Sequence, residues 1–141
     1  MEHWYGNIWR RIGGWINDKG TQKIKMTYGQ SDGSTSDGYN ETGSGYISIG
    51  GTTPSGVNGG YISKMLITDN GLMPTITNGS ATTYYCDGLW FDNSRVDYAY
   101  VGGNSSNASR VGALCSNLGN ASSDTYATVG AALSCKPLAS S

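Results

Sequence analysis

Between Pro74 and Cys135 the chain contains no Lys, Glu, Gln or Met. Over the whole length only 13% of residues are charged, against roughly a quarter in ordinary globular proteins. With a formal net charge of −1, the chain has no basic excess to hold a phosphate backbone, so nucleic acid is not expected as a partner. No apolar run approaches the ~20 residues of a membrane span, and membrane insertion is not expected either. The single histidine is His3, and a Ser-His-Asp or Cys-His site would need it brought to distant residues without an evident activating base. An enzyme is therefore not expected, and no catalytic residue is assigned. The three cysteines, Cys86, Cys115 and Cys135, have no metal-type spacing, and their odd number fits no complete disulfide framework. Cys86 and Cys135 each follow an apolar run and read as buried thiols, with one bridged pair left open. Asp32 and Asp37 flank a Gly/Ser/Thr stretch without the acidic count or closing Glu of a calcium loop. The prolines Pro54, Pro74 and Pro137 lie in no acidic-and-amide cluster of the sort calcium-dependent sugar sites use. Neither metal nor cofactor is expected.

What is present is glycine, tyrosine and small polar residues. The 141 residues read as one domain, 1–141, with 22 glycines. No signal-like leader precedes Met1-Glu2-His3-Trp4, so the expectation is a domain taken from a longer chain. Trp4, Tyr5, Ile8, Trp9, Ile12, Trp15 and Ile16 repeat at three- and four-residue spacing, which predicts an amphipathic helix ending at Asp18-Lys19-Gly20. Ile24, Met26 and Tyr28 alternate with Lys23, Lys25 and Thr27 as a half-buried strand would. The Gly29 to Gly45 stretch reads as a long loop. Further strands are expected at Tyr46–Ile49, Tyr61–Ile67, Thr82–Cys86, Tyr98–Gly102, Gly112–Cys115 and Val129–Cys135. The fold class implied is α+β: an N-terminal amphipathic helix, short antiparallel strands and long loops.

The segment lacking Lys and Glu divides into two kinds of sequence. Apolar-and-glycine blocks such as Tyr98-Ala99-Tyr100-Val101-Gly102-Gly103 can be buried. Polar runs such as Asn104-Ser105-Ser106-Asn107 and Asn120-Ala121-Ser122-Ser123-Asp124-Thr125-Tyr126 cannot drive a core and read as displayed. The polar positions draw on Asn, Asp, Ser, Thr, Tyr, Gly, Ala, Arg and Cys. These are the residues reachable from an AAC or AAT codon when only its adenines change; Lys, Glu, Gln, Met and Trp are not. Asn-x-Ser/Thr sequences at Asn40, Asn78, Asn104, Asn107 and Asn120 read as chance in so Asn/Ser-rich a chain.

The Trp-Tyr-Gly-Asn-Ile-Trp start, Leu-Met-Pro-Thr, Tyr-Val-Gly-Gly, Arg-Val-Gly-Ala-Leu and the closing Val-Gly-Ala-Ala-Leu-Ser-Cys-Lys-Pro carry a resemblance. In this order and spacing the chain resembles the variable proteins of diversity-generating retroelements, found in phages, prophages and gut bacteria. The resemblance implies a C-type-lectin-like fold, in the branch related to formylglycine-generating enzymes and the phage major tropism determinant. It also implies a variable region of about 87–130, randomised at adenines by a reverse transcriptase. The positions so implied as a ligand-binding variable surface are Asp92, Arg95, Asp97, Asn104, Ser106, Asn107, Arg110, Cys115, Gly119, Asp124, Tyr126 and Thr128. Gly102, Gly103, Gly112, Ala113, Leu114, Gly130, Ala131 and Leu133 match frame positions, while Ala127 stands where the family has Trp and Ala108 where it has Gly or Ser. The implied partner is a protein or surface polymer on a host cell, with homo-oligomerisation through a preceding segment. The implied location is a phage tail or a bacterial cell surface; the alternatives are a non-diversified tail adhesin or lectin and, behind these, an enzyme of the formylglycine-generating type. If the variable positions act together, they should be exposed and converge on one face.

Overall fold

The computed structural model describes residues 6–25 and 39–130. Its strands are β1 (Trp9–Asp18), β2 (Thr21–Ile24), β3 (Ile47–Ser48), β4 (Ser55–Gly56), β5 (Gly60–Tyr61), β6 (Lys64–Thr68), β7 (Gly71–Thr77), β8 (Gly88–Phe91), β9 (Val96–Val101), β10 (Ser116–Asn120) and β11 (Val129–Gly130). Among the described residues the one helical element is a short 3-10 segment, Ser105–Arg110. The main sheet runs β3-β2-β1-β9-β10-β8-β5, with β11 parallel to the start of β1; β4-β7-β6 form a second, smaller sheet. The architecture is mostly β, and the expected α+β class with its N-terminal helix is overturned.

The stretch expected as a helix is the central strand β1, hydrogen-bonded to β2, β9 and β11. Its apolar residues serve two faces, which mimics a helical period. Trp9 packs with Tyr100 and Cys115, whereas Trp15 leans on the Ile24, Ile49 and Met73 cluster. Between Ile12 and Ile16 the register with β9 shifts, so the inward phase is reset part-way along. Gly13-Gly14 sits at that irregularity. A Cβ on Gly14 would lie 2.5 Å from the Lys25 carbonyl oxygen, so a close backbone approach requires glycine there. Isoleucine and tryptophan favour strands, and paired glycines weaken a helix; tertiary pairing therefore decides the segment. Trp4 and Tyr5 lie outside the described residues, as do Met26, Tyr28 and the stretch 131–141.

Two expected strands are turns. At Thr82–Cys86 the hydroxyls of Ser80 and Thr83 lie 2.7 Å apart and Ser80 Oγ accepts from the Thr82 N–H, local bonds that replace a ladder. Tyr84 and Cys86 also have positive φ, 64° and 59°. At Gly112–Cys115 the Leu114 N–H donates to Asp87 Oδ2 at 2.7 Å and the Cys115 N–H to the Gly112 carbonyl at 3.2 Å. The strand itself starts one residue later, at Ser116. The core beside these turns is Ile62, Met65, Leu89, Ala99 and Leu118, which holds β8, β9 and β10 against the β6 side.

Candidate ligand-binding face

The sheet sorts the twelve positions into three places. β9 and β10 are antiparallel, so the loop before β9 and the loop after β10 share one end of the sheet, and the opposite end carries the 3-10 segment. These ends are roughly 17 Å apart along a six-residue strand.

At the first end stand Asp92, Arg95, Asp97 and Gly119. Arg95 Nε lies 2.9 Å from Asp97 Oδ1 and 3.4 Å from Asp92 Oδ2, and its Nη2 donates to the Gly119 carbonyl at 3.2 Å. Ser94, through its N–H and hydroxyl, holds the Asp92 carboxyl below its usual range. Asp97 is fully buried, and apart from the Arg95 ion pair no donor among the described residues reaches its oxygens. Burial pushes its carboxyl up to about 6, with Arg95 opposing. A folded-state value above the ordinary 3.8 means that protonated Asp97 favours the fold. This contribution is complete below about 4 and is lost as pH rises through about 6. Urea midpoints measured against pH should thus fall over that interval more for the wild type than for Asp97→Asn.

The opposite end carries Asn104, Ser106, Asn107, Arg110 and Cys115. Asn104 is a buried N-cap: its Oδ1 accepts from Ser106 N at 3.1 Å and Ser106 Oγ at 2.7 Å, while Asn107 Oδ1 accepts from Asn104 N at 2.8 Å. This reciprocal cap corrects the expectation that the Asn-Ser-Ser-Asn run is freely displayed. Asn104→Ala should cost about 1–2 kcal/mol. Ser109→Ala, on the exposed side of the same segment, should stay within about ±0.5 kcal/mol by chemical denaturation. Cys115 is buried, and burial pushes its thiol up to about 12. Cys86 is half-buried, not the core thiol expected, and Cys135 lies outside the described residues.

Asp124, Tyr126 and Thr128 follow β10 on the crossover to β11. Arg11 secures this crossover from below, donating to the carbonyls of Ser122 and Asp124 at 3.0 Å each and to Tyr100 Oη at 2.7 Å. Tyr126 is exposed, and Asp124 Oδ2 accepts from Ala121 N at 2.9 Å. The expectation of one exposed, convergent patch is thus corrected: the positions are divided by the strand directions, and Asp97, Asn104 and Cys115 are buried.

Comparison with family models, with characterised proteins and with solved structures gives no match.

One exposed surface gathers features that the motif reading passed over. Tyr61 Oη is 2.6 Å from Ser109 Oγ, and the Arg110 guanidinium lies over the Tyr61 ring at 5.7 Å. Tyr61 pairs with Gly88, beneath the Arg110 side chain. The chain just before Gly88 presents Tyr84, 72% exposed, and Tyr85, 42% exposed. Among the described residues four non-glycine positions have positive φ, and three of them, Tyr84, Cys86 and Ala108, belong to these two loops. Backbone strain of this kind costs about 1–3 kcal/mol per residue and clusters where function over-determines the loops. Isolated tyrosines in Gly/Ser/Thr surroundings were the available sequence signal, at Gly59-Gly60-Tyr61 and Thr83-Tyr84-Tyr85. Among the described residues no three His, Cys, Asp or Glu side chains are grouped to hold a metal ion, and no helix is long and apolar enough to cross a membrane.

Proposed function

We propose that the domain binds a protein or surface polymer through the face formed by Tyr61, Tyr84, Tyr85 and the Ser105–Arg110 segment. The carrying observation is the exposure of two tyrosines beside a capped, serine-rich turn on a sheet scaffold. Tyrosine supplies contact area at low entropy cost, and small polar residues supply adaptable hydrogen bonds, as in antibody loops. We propose further that this is a retroelement-diversified variable protein of a phage tail or bacterial surface, with diversification acting at exposed positions such as Ser106, Arg110, Tyr126 and Thr128. The absence of Lys and Glu between Pro74 and Cys135 supports this reading. The burial of Asp97, Asn104 and Cys115 favours a second reading, a fixed adhesin, because randomising those three would damage the fold. Sequencing the DNA around the coding region separates the two. Diversification requires a near-copy of the segment encoding about 87–130, differing at adenines and beside a reverse transcriptase gene. A locus with neither contradicts diversification and leaves the fixed adhesin.

A further inference from the structure

Between the 3-10 segment and the β4–β5 loop lies a recess of about 330 Å³, lined among others by Val57, Asn58, Tyr61, Asn78, Trp90 and Arg110. That volume is at the small end of the ~300–1,000 Å³ of ligand sites and suits one ring-sized unit. Its walls include the Tyr61 and Trp90 rings, and Arg110, Asn58 and Trp90 bring N–H donors to it. The Arg110 guanidinium, laid over Tyr61, has no hydrogen bond or ion pair among the described residues. Asn58 Oδ1 accepts from Phe91 N at 3.0 Å, which leaves the Asn58 NH₂ group as a positioned donor. The Trp90 ring is held edge-on by Trp9 at 5.6 Å, and its Nε1–H has no acceptor among the described residues. A Cβ on Gly59 would meet Trp90 Nε1 at 2.6 Å, so glycine is needed for the loop to approach the indole. Among the described residues no carboxylate lines the recess; Asp87, next to Gly88, is turned to the Leu114 N–H.

We infer that this recess takes a carboxylate-bearing sugar unit of a surface polysaccharide, Arg110 receiving the carboxylate and the aromatic walls the apolar face of the ring. The inference rests on the binding reading above and names its ligand class. A guanidinium fork matches a carboxylate bidentately. Aromatic side chains offer apolar area with a polar edge, which suits a sugar ring and is of no use to a bare anion. One arginine without a basic surround gives no grip on a nucleic acid backbone.

The test is a titration of the whole protein with glucuronic acid, followed by tryptophan fluorescence, with methyl glucoside and inorganic phosphate as parallel arms. Glucuronate should produce a saturable change that weakens with salt, and the other two should produce none at the same concentrations. Arg110→Ala should weaken binding about tenfold or more. Arg110→Lys should recover little of it, because it keeps the charge but lacks the planar fork. Absence of glucuronate binding, equal binding of phosphate or glucoside, or an unchanged affinity in Arg110→Ala overturns the inference. A second measurement keeps this apart from the broader reading: adherence of the protein to encapsulated and unencapsulated bacteria, with and without excess glucuronate. Adherence that glucuronate does not compete leaves the binding face standing and overturns the ligand class. Saturable glucuronate binding without adherence to any cell supports the recess and counts against the adhesin.

Discussion

Trp9→Ala should lower stability by about 3–5 kcal/mol, the cost of deleting a large buried aromatic. Trp9 is 5% exposed in β1, an inner strand of the main sheet. It meets Trp90 edge-on at 5.6 Å and packs with Tyr100 and Cys115. Its removal opens a cavity under β8 and β9 that three different strands would have to close. Such a loss is a large part of the roughly 5–15 kcal/mol by which domains of this kind are stable. Chemical denaturation reads it directly. Tyr126→Ala is the control, because that side chain is 56% exposed and should change stability by no more than about 0.5 kcal/mol. Equal loss in the two variants would show that Trp9 is not a core residue.

Gly112→Ala should be nearly as damaging, for a different reason. A Cβ there would overlap Asp87 Oδ1, which forces one group to move. Asp87 is a short, buried side chain whose other oxygen accepts from Leu114 N at 2.7 Å, so it has little room to yield. Displacing it combines overpacking, about 1–3 kcal/mol, with loss of a hydrogen bond to a charged group, about 1.5–3 kcal/mol. Asp87→Ala alone should cost about 1–3 kcal/mol by leaving the Leu114 N–H unpaired. The double variant Gly112→Ala, Asp87→Ala should then be less destabilised than the sum of the two, because the new methyl occupies space the carboxylate has left. Strict additivity would show that the Asp87–Gly112 contact does not hold the turn.

These two residues also show what could and could not be read from the chain. Trp9 was legible as core, but its element was not: a strand covered on both faces and interrupted by a glycine bulge produces apolar residues at three- and four-residue spacing. The apolar block Tyr98–Gly102 was expected as a strand, and the structure has it at Val96–Val101. Gly112–Cys115 looked like strand because its composition is apolar. Nothing local announces that a carboxylate 27 positions from Leu114 takes the backbone N–H the ladder would need. The candidate site was legible as a polar, tyrosine-bearing composition and not as a place. Antiparallel pairing of β9 with β10 sends Arg95 and Arg110 to opposite ends of the sheet, although both stand in the same biased segment. Burial of Asp97 and capping by Asn104 depend on partners that the codon pattern does not register.

If a fixed frame carries a replaceable loop face, a single library of variants should show it. Tyr84, Tyr85, Ser105, Ser106, Ser109 and Arg110 would be randomised together to Tyr, Ser, Asn, Asp, Gly and Arg. The displayed clones would be scored for protease resistance and then selected against an unrelated protein such as lysozyme. Most clones should stay folded and target-specific binders should emerge, with Asp87, Asn104, Gly112 and Trp9 intolerant when randomised the same way. Loss of protease resistance across the first set, or equal tolerance in the second, would contradict the division of this chain into frame and display.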